Sequence, residues 1–136
     1  MIELARPRPP AVDFGADSFQ GVSVPMFLLF RANVEAGRGW VVRGVSFDDC
    51  TIEGPAVLMP VESCTFDGCD LGFNKGDIRN LLLRPEGESV TGAIALAACS
   101  FTRCHFNGVG FTGHASFLNQ LKQFAVKGQD PRGTGQ

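Results

Sequence analysis

A small residue followed two positions later by a large apolar residue recurs every five positions along much of this chain. Alternate residues of an extended segment lie on one face, so both members of each pair point inward and the residues between them point outward. The pairs are Val45/Phe47, Cys50/Ile52, Cys64/Phe66, Cys69/Leu71, Cys99/Phe101, Cys104/Phe106 and Val109/Phe111. A fixed short period is typical of a solenoid, in which each coil buries its inner face only against neighbouring coils.

The composition favours the same interpretation. The chain has 17 Gly and eight Pro among 136 residues, which provides for many tight turns. A helix would instead place apolar residues at steps of three and four, and glycine and β-branched residues are poor helix formers. The sequence therefore predicts one all-β domain built as a solenoid.

The repeat register divides this single domain, 1–136, into segments. Residues 1–17 are rich in proline and predict an extended N-terminal lead-in, whereas residues 18–112 predict the β-coils. Residues 72–93 interrupt the pattern and predict one distorted coil with a protruding loop. Residues 113–127 predict a helix that caps the last coil, and residues 128–136 predict a disordered tail.

Two segments outside the clearest repeats have patterns of their own. The apolar run 26–30 is assigned to a first β-like block, and Trp40 with Val42 opens the main register as an inward pair. Past Gly113 the period becomes helical, with Ser116 as the N-terminal cap. The apolar face of this helix consists of Phe117, Leu118, Leu121 and Phe124.

Three stretches, 45–54, 64–71 and 99–111, resemble the pentapeptide-repeat family, because a small inward residue precedes a central Leu, Ile or Phe by two positions. The resemblance implies an all-β fold, a right-handed parallel β-helix (solenoid) with four sides, closed here by a short C-terminal capping helix. Some members of that family protect type II topoisomerases as acidic, rod-like dimers that mimic DNA.

The spacing of the repeats also predicts which side chains stack. Phe47 and Phe66 are 19 residues apart, close to the length of one four-sided coil of pentapeptides. Successive coils would then place Phe47 on Phe66 and Cys50 on Cys69.

Acidic residues dominate the middle of the chain. Residues 46–90 contain nine acidic and three basic residues, a net charge of −6, against −2 for the whole chain. A negative surface argues against a nucleic-acid groove. The outward-pointing Asp48, Asp49, Asp67 and Asp70 are a candidate acidic binding face. They could bind Ca²⁺, cleave a sugar or contact a protein, or they could simply be the solvated turns of the fold.

The five cysteines are an odd number, so they cannot all pair within one chain. The spacing of Cys64 from Cys69 and of Cys99 from Cys104 is loosely compatible with zinc. Every cysteine occupies an inward small-residue position, however, where a thiol behaves as a small, inert hydrophobe. We therefore expect free thiols, no metal and no cofactor.

The two histidines, His105 and His114, are the remaining candidates for chemistry. His105 occupies an outward position and could form an acid–base couple with a nearby carboxylate. No nucleophile with a third, orienting group stands out, so the sequence predicts no catalytic residues.

These observations predict a non-enzymatic β-helix module for protein binding or scaffolding. The resemblance offers an alternative, an acidic DNA mimic that binds a topoisomerase, and a second alternative is a small β-helix protein that binds or cleaves carbohydrate. The opening residues do not resemble a secretory signal, and the longest apolar run is too short to span a bilayer. We expect a cytoplasmic monomer or homodimer with a protein partner, and neither nucleic acid nor membrane as a partner.

Overall fold

The computed structural model describes residues 8–72, 77–87 and 90–124, which form ten strands and two α-helices. A one-turn 3-10 helix, Ile78–Leu81, lies in the segment that interrupts the repeats. The elements in chain order are β1 (Ser18–Gln20), β2 (Ser23–Pro25), α1 (Met26–Glu35), β3 (Val41–Arg43), β4 (Ser46–Asp48), β5 (Thr51–Glu62), β6 (Thr65–Asp67), β7 (Leu82–Leu83), β8 (Ile94–Ala97), β9 (Ser100–Thr102), β10 (His105–Thr112) and α2 (Ala115–Phe124). The predicted disordered tail, 128–136, lies outside the described residues.

All paired strands are parallel and belong to two sheets. The first sheet has the order β1-β4-β9-β6. The second has the order β3-β8-β5-β10-β7, with β2 paired to β5. The lead-in also takes part, because the backbone of Pro9 and Ala11 hydrogen-bonds to Ser23 on the free side of β2. This pairing covers an edge that would otherwise expose unpaired backbone groups.

The prediction of an all-β, right-handed parallel β-helix with a capping helix is wrong. The strands form two separate parallel sheets accompanied by two helices, an α/β-type arrangement, and the sheets are not closed into a solenoid. Strand order gives the physical reason. In a solenoid each coil stacks on its neighbours in sequence, whereas here β9 lies between β4 and β6, although it follows both in the chain. Likewise, β8 lies between β3 and part of β5.

The same insertion corrects the predicted stacking. The ring of Phe101 lies between those of Phe47 and Phe66, at centroid distances of 4.7 and 4.9 Å and nearly parallel to both. Phe19 extends the stack beyond Phe47 at 5.5 Å. Phe47 therefore does not stack directly on Phe66. Strands paired in register place identical side chains one above another, and the flat rings gain both burial and offset-stacking energy.

Most inward pairs of the five-residue register are buried in the core. The buried members are Val45, Phe47, Cys50, Ile52, Cys69, Leu71, Cys99, Phe101, Cys104, Phe106, Val109 and Phe111. Cys64 and Phe66 are half-buried, because β6 is the outermost strand of its sheet. Trp40 was predicted to point inward, and this is wrong: its side chain is 72% exposed.

The first block is a helix and not the predicted β-like segment. Helix α1 buries Met26, Leu29 and Asn33, which recur at steps of three and four residues. Asn33 also donates from Nδ2 to the carbonyl oxygens of Gly39 and Val41, at 2.9 and 3.2 Å, and so holds the loop that leads into β3. Met, Leu, Ala and Arg are good helix formers, and the buried stripe determines which face of the helix meets the sheet.

Helix α2 follows β10 and packs on the core. Leu118 and Leu121 are buried. The ring of Phe117 contacts the rings of Phe66 and Phe111 at 5.8 and 6.4 Å. The side chain of Phe124, which was also predicted to face the core, lies outside the described part of the chain.

Gly54 marks the closest approach of two backbones, where β5 passes β10. A Cβ atom added at Gly54 would lie 1.9 Å from the carbonyl oxygen of Gly108, a distance that no packed structure tolerates. Only glycine permits this contact, so Gly54 is a structural requirement of the β5–β10 pairing.

Replacing Phe101 with Ala should lower the free energy of unfolding by about 3–5 kcal/mol, since the ring is fully buried between two others. Chemical denaturation monitored by circular dichroism measures the change. Phe27→Ala is the matched control, because Phe27 is exposed and should cost little. Equal losses for the two variants would contradict the described core.

Gly54→Ala should destabilise the protein by roughly 1–3 kcal/mol, since the added methyl group overlaps backbone that cannot rotate away. Gly87→Ala is the control, because a Cβ at Gly87 meets nothing within 4 Å and its backbone is not left-handed. Thermal unfolding of the two variants tests the prediction, and a Gly54→Ala protein as stable as Gly87→Ala would refute the close β5–β10 contact.

Candidate functional site

The four carboxylates predicted to form an acidic face lie at the ends of strands β4 and β6 of the first sheet or shortly after them. Asp48 on β4 and Asp67 on β6 both align with Thr102 on β9, which lies between them. Arg103 follows Thr102 and forms an ion pair with Asp48 through Nη2. Strand β9 therefore brings the cation of Arg103 to the carboxylate of Asp48. The sequence pattern did not predict this ion pair.

The other two carboxylates also have basic neighbours. Arg8 Nη2 lies 2.6 Å from Asp49 Oδ1. His105 Nδ1 lies 3.5 Å from Asp70 Oδ2. Of the four carboxylates, Asp48 and Asp49 are thus paired with arginines, whereas Asp67 has no ion pair within residues 8–72, 77–87 and 90–124. No group of three or more Cys, His, Asp or Glu side chains among the described residues is arranged to hold a metal ion.

His105 lies beside a carboxylate, that of Asp70, on an adjacent parallel segment; the acid–base couple stays a prediction. Their separation of 3.5 Å is longer than a hydrogen bond. The backbone N–H of His105 donates to the carbonyl oxygen of Cys50, whose thiol is buried. His105 aligns with Thr51 on the neighbouring strand β5.

The thiols form two short ladders across the sheets. Cys104 lies between Cys50 and Cys69, and Cys99 lies beside Cys64. The Cys50 thiol and then the Cys69 thiol, together with burial, raise the pKa of Cys104. Its thiol also has carbonyl acceptors, including Phe47 O at 3.5 Å. All five cysteines are unpaired, and four of them are buried.

An open groove lies between α2 and the loop that follows β7. It encloses about 570 Å³, and its lining includes Val61, Arg84, His114 and Leu118. Arg84 and His114 are exposed at its rim, and neither side chain has an ion-pair partner in the described part of the chain.

A cluster of exposed apolar side chains lies on α1 and the loop after it. Phe27 and Leu28 are 57% and 41% exposed on the side of the helix opposite its buried stripe. Phe30 is one turn from Phe27, and its ring lies 5.4 Å from that of Trp40. Phe30 itself is half-buried and packs partly against the core. We call Phe27, Leu28, Phe30 and Trp40 the α1 patch. Large apolar side chains grouped in this way mark interaction surfaces, whereas scattered ones need no explanation.

The sequence did not predict the α1 patch, because its pattern assigns residues 26–30 to a β-like block and Trp40 to an inward pair. The helical spacing of Met26, Leu29 and Asn33 was the available signal. On a helix with that buried stripe, Phe27 and Leu28 must point away from the sheet.

Comparisons of this chain with protein-family models, with curated proteins and with solved structures return no match. The resemblance to pentapeptide-repeat proteins therefore stays a prediction. Among the described helices, neither is long and apolar enough to cross a membrane.

The fluorescence of Trp40 should report an exposed indole, because Trp40 is the only tryptophan and lies on the surface. We expect an emission maximum close to that of the unfolded chain and ready quenching by acrylamide, both independent of protein concentration. Emission that shifts to the blue as the protein is concentrated would contradict a free α1 patch and would indicate that a second copy covers it.

Proposed function

We propose that this protein is a non-enzymatic module for protein binding or scaffolding, and that the α1 patch binds the partner. The observation that carries the proposal is that three large apolar side chains on α1 and the loop after it, Phe27, Leu28 and Trp40, are left exposed. Burying such side chains against a partner removes apolar area from water and is the main driving force of protein association.

The residue types of the patch support this function. Trp, Phe and Arg are enriched where interfaces are buried, and a few such residues supply most of the binding energy. Trp40 packs against Phe30 at 5.4 Å, so its ring is held partly in place before a partner arrives. Less conformational entropy is then lost on binding.

The charges around the patch indicate the chemistry of the partner. Arg31 Nε lies 3.1 Å from Glu35 Oε2, so these two exposed groups compensate each other. Arg38, between α1 and Trp40, donates to the carbonyl oxygen of Gly15 and has no carboxylate partner among the residues that the structure describes. Arg38 therefore offers a cation beside the patch, and it fits a protein surface with an apolar centre and a carboxylate at its edge.

The two alternative functions have less support. A DNA mimic and a carbohydrate-active protein were both expected of a β-helix, and the strand order differs from that of a solenoid. A DNA mimic also needs unpaired negative charge, whereas Asp48 and Asp49 are ion-paired with arginines.

We further propose a cytoplasmic location. All five cysteines are unpaired, and a reducing compartment keeps thiols in this state.

Site-specific photo-crosslinking tests the proposed function. A photoreactive amino acid replaces Trp40 in one variant and Leu83 in another. Leu83 is the control, because it is 47% exposed on β7, the strand at the far end of the second sheet. We expect Trp40 to crosslink to a partner protein and Leu83 not to. The captured protein is then identified and purified, and its affinity is measured directly.

Phe27→Ala should weaken that affinity by about tenfold or more, as expected for an interface residue that supplies much of the binding energy. Leu83→Ala should leave the affinity within about twofold, as expected outside an interface. Equal crosslinking at both positions, crosslinking only to a second copy of the chain, or an unchanged affinity in Phe27→Ala would each refute the proposal.

A further inference from the structure

Cys64 and Cys99 lie side by side at the outer edge of the first sheet. Strands β6 and β9 pair in register through Thr65 and Ser100. The N–H of Thr65 donates to the carbonyl oxygen of Cys99 at 3.0 Å. The two cysteines therefore occupy equivalent positions immediately before the two strands.

Their side chains point to the same side of the sheet. Phe66 and Phe101 lie two residues after Cys64 and Cys99, and their rings stack at 4.9 Å. Since alternate residues share a face, the two thiols are neighbours on that face as well. Each thiol also perturbs the pKa of the other, as expected for groups in direct contact.

Solvent reaches one member of the pair. Cys64 is half-buried because β6 is the last strand of its sheet, whereas the other four cysteines are buried. A small oxidant can therefore reach the sulfur of Cys64 and find a second thiol behind it. The pair Cys50 and Cys104 lacks this access.

We propose that Cys64 and Cys99 are a reversible oxidation site, which forms an intrachain disulfide when the protein meets hydrogen peroxide. Neighbouring parallel strands are about 4.8 Å apart, which lies within the range of roughly 4.4–6.8 Å that a disulfide requires between its Cα atoms. The bond can therefore form without separating β6 from β9. The site is distinct from the α1 patch and does not depend on the proposed function.

The chemistry balances with peroxide as the oxidant. The Cys64 thiolate attacks one peroxide oxygen, the O–O bond breaks, and the released hydroxide takes up the proton that the thiol had lost, giving a sulfenic acid and water. The sulfur of Cys99 then attacks that of Cys64. The S–O bond breaks, and the hydroxyl group leaves with the proton of Cys99 as a second water. Two thiols are oxidised and one peroxide is reduced.

The acidity of the pair supports this reaction. A hydrogen bond from the Cys64 thiol lowers the pKa of Cys99 to about 7, although burial opposes the shift. The same contact with Cys99, together with burial, raises the pKa of Cys64, so the first thiolate of the pair forms on Cys99 and the Cys64 thiol donates a hydrogen bond to it. Transfer of the Cys64 proton to the adjacent Cys99 sulfur moves the negative charge to the accessible sulfur, and the thiolate is the form that reacts with peroxide.

The test treats the full-length protein with hydrogen peroxide, unfolds it in an alkylating reagent and counts alkylated cysteines by mass spectrometry. The reduced protein should carry five alkyl groups and the oxidised protein two fewer. A Cys64–Cys99 peptide should appear in the digest and disappear after treatment with dithiothreitol. The oxidised protein should also melt several degrees higher, because the bond closes a loop between distant residues.

Variants distinguish this pair from the other thiols. Cys64→Ala, or Cys64→Ser if the first variant folds poorly, should abolish the loss of alkylation and the rise in melting temperature. Cys69→Ala is the matched control, since Cys69 follows the same strand but contacts Cys104, and it should retain both effects. Undiminished alkylation after peroxide, oxygen addition at Cys64 with Cys99 still free, or a disulfide between two chains would overturn the proposal.

Discussion

The ring of Phe101 lies between the rings of Phe47 and Phe66, and the arrangement of both sheets follows from this contact. It places β9 at the centre of the first sheet, and the chain that leads to and from β9 places β8 and β10 within the second. The centre of the core is therefore supplied by the last strands of the chain. The earlier strands β4 and β6 do not contact each other directly, so the core is incomplete until residues 94–112 are in place, and its contacts are largely long-range in sequence.

The position of β9 between β4 and β6 also determines which polar and sulfur-containing side chains are neighbours. Arg103 reaches Asp48 because β9 lies beside β4, and this ion pair reduces the charge of the predicted acidic face. Cys99 lies beside Cys64 for the equivalent reason. Burial then separates the thiols: four of them are buried, whereas Cys64, which precedes the edge strand β6, is half-buried. All five cysteines occupy the same kind of inward position in the sequence, but the strand order leaves only Cys64 within reach of solvent.

The α1 patch arises from a different constraint. Met26, Leu29 and Asn33 form the buried stripe of α1, and Phe30 beside it packs partly against the core. Phe27 and Leu28 are then left on the opposite side, and the loop fastened by Asn33 brings Trp40 to Phe30. The core stabilises the fold and offers few free functional groups. The exposed aromatic surface is therefore the part of the described molecule best suited to recognition.

The local pattern of small and large residues identified the buried positions from the sequence, because alternation in an extended segment depends only on neighbouring residues. It placed Phe47, Phe101 and Phe106 in the core, where they are found. The order of the strands could not be read from the same pattern, since equivalent repeats such as 64–71 and 99–111 compete for the same place beside β4. Tertiary packing decided that the later repeat occupies it. Packing likewise decided that residues 26–35 form a helix with Trp40 exposed beside it, because a short apolar run satisfies a strand or a helix until the surface it packs against is known.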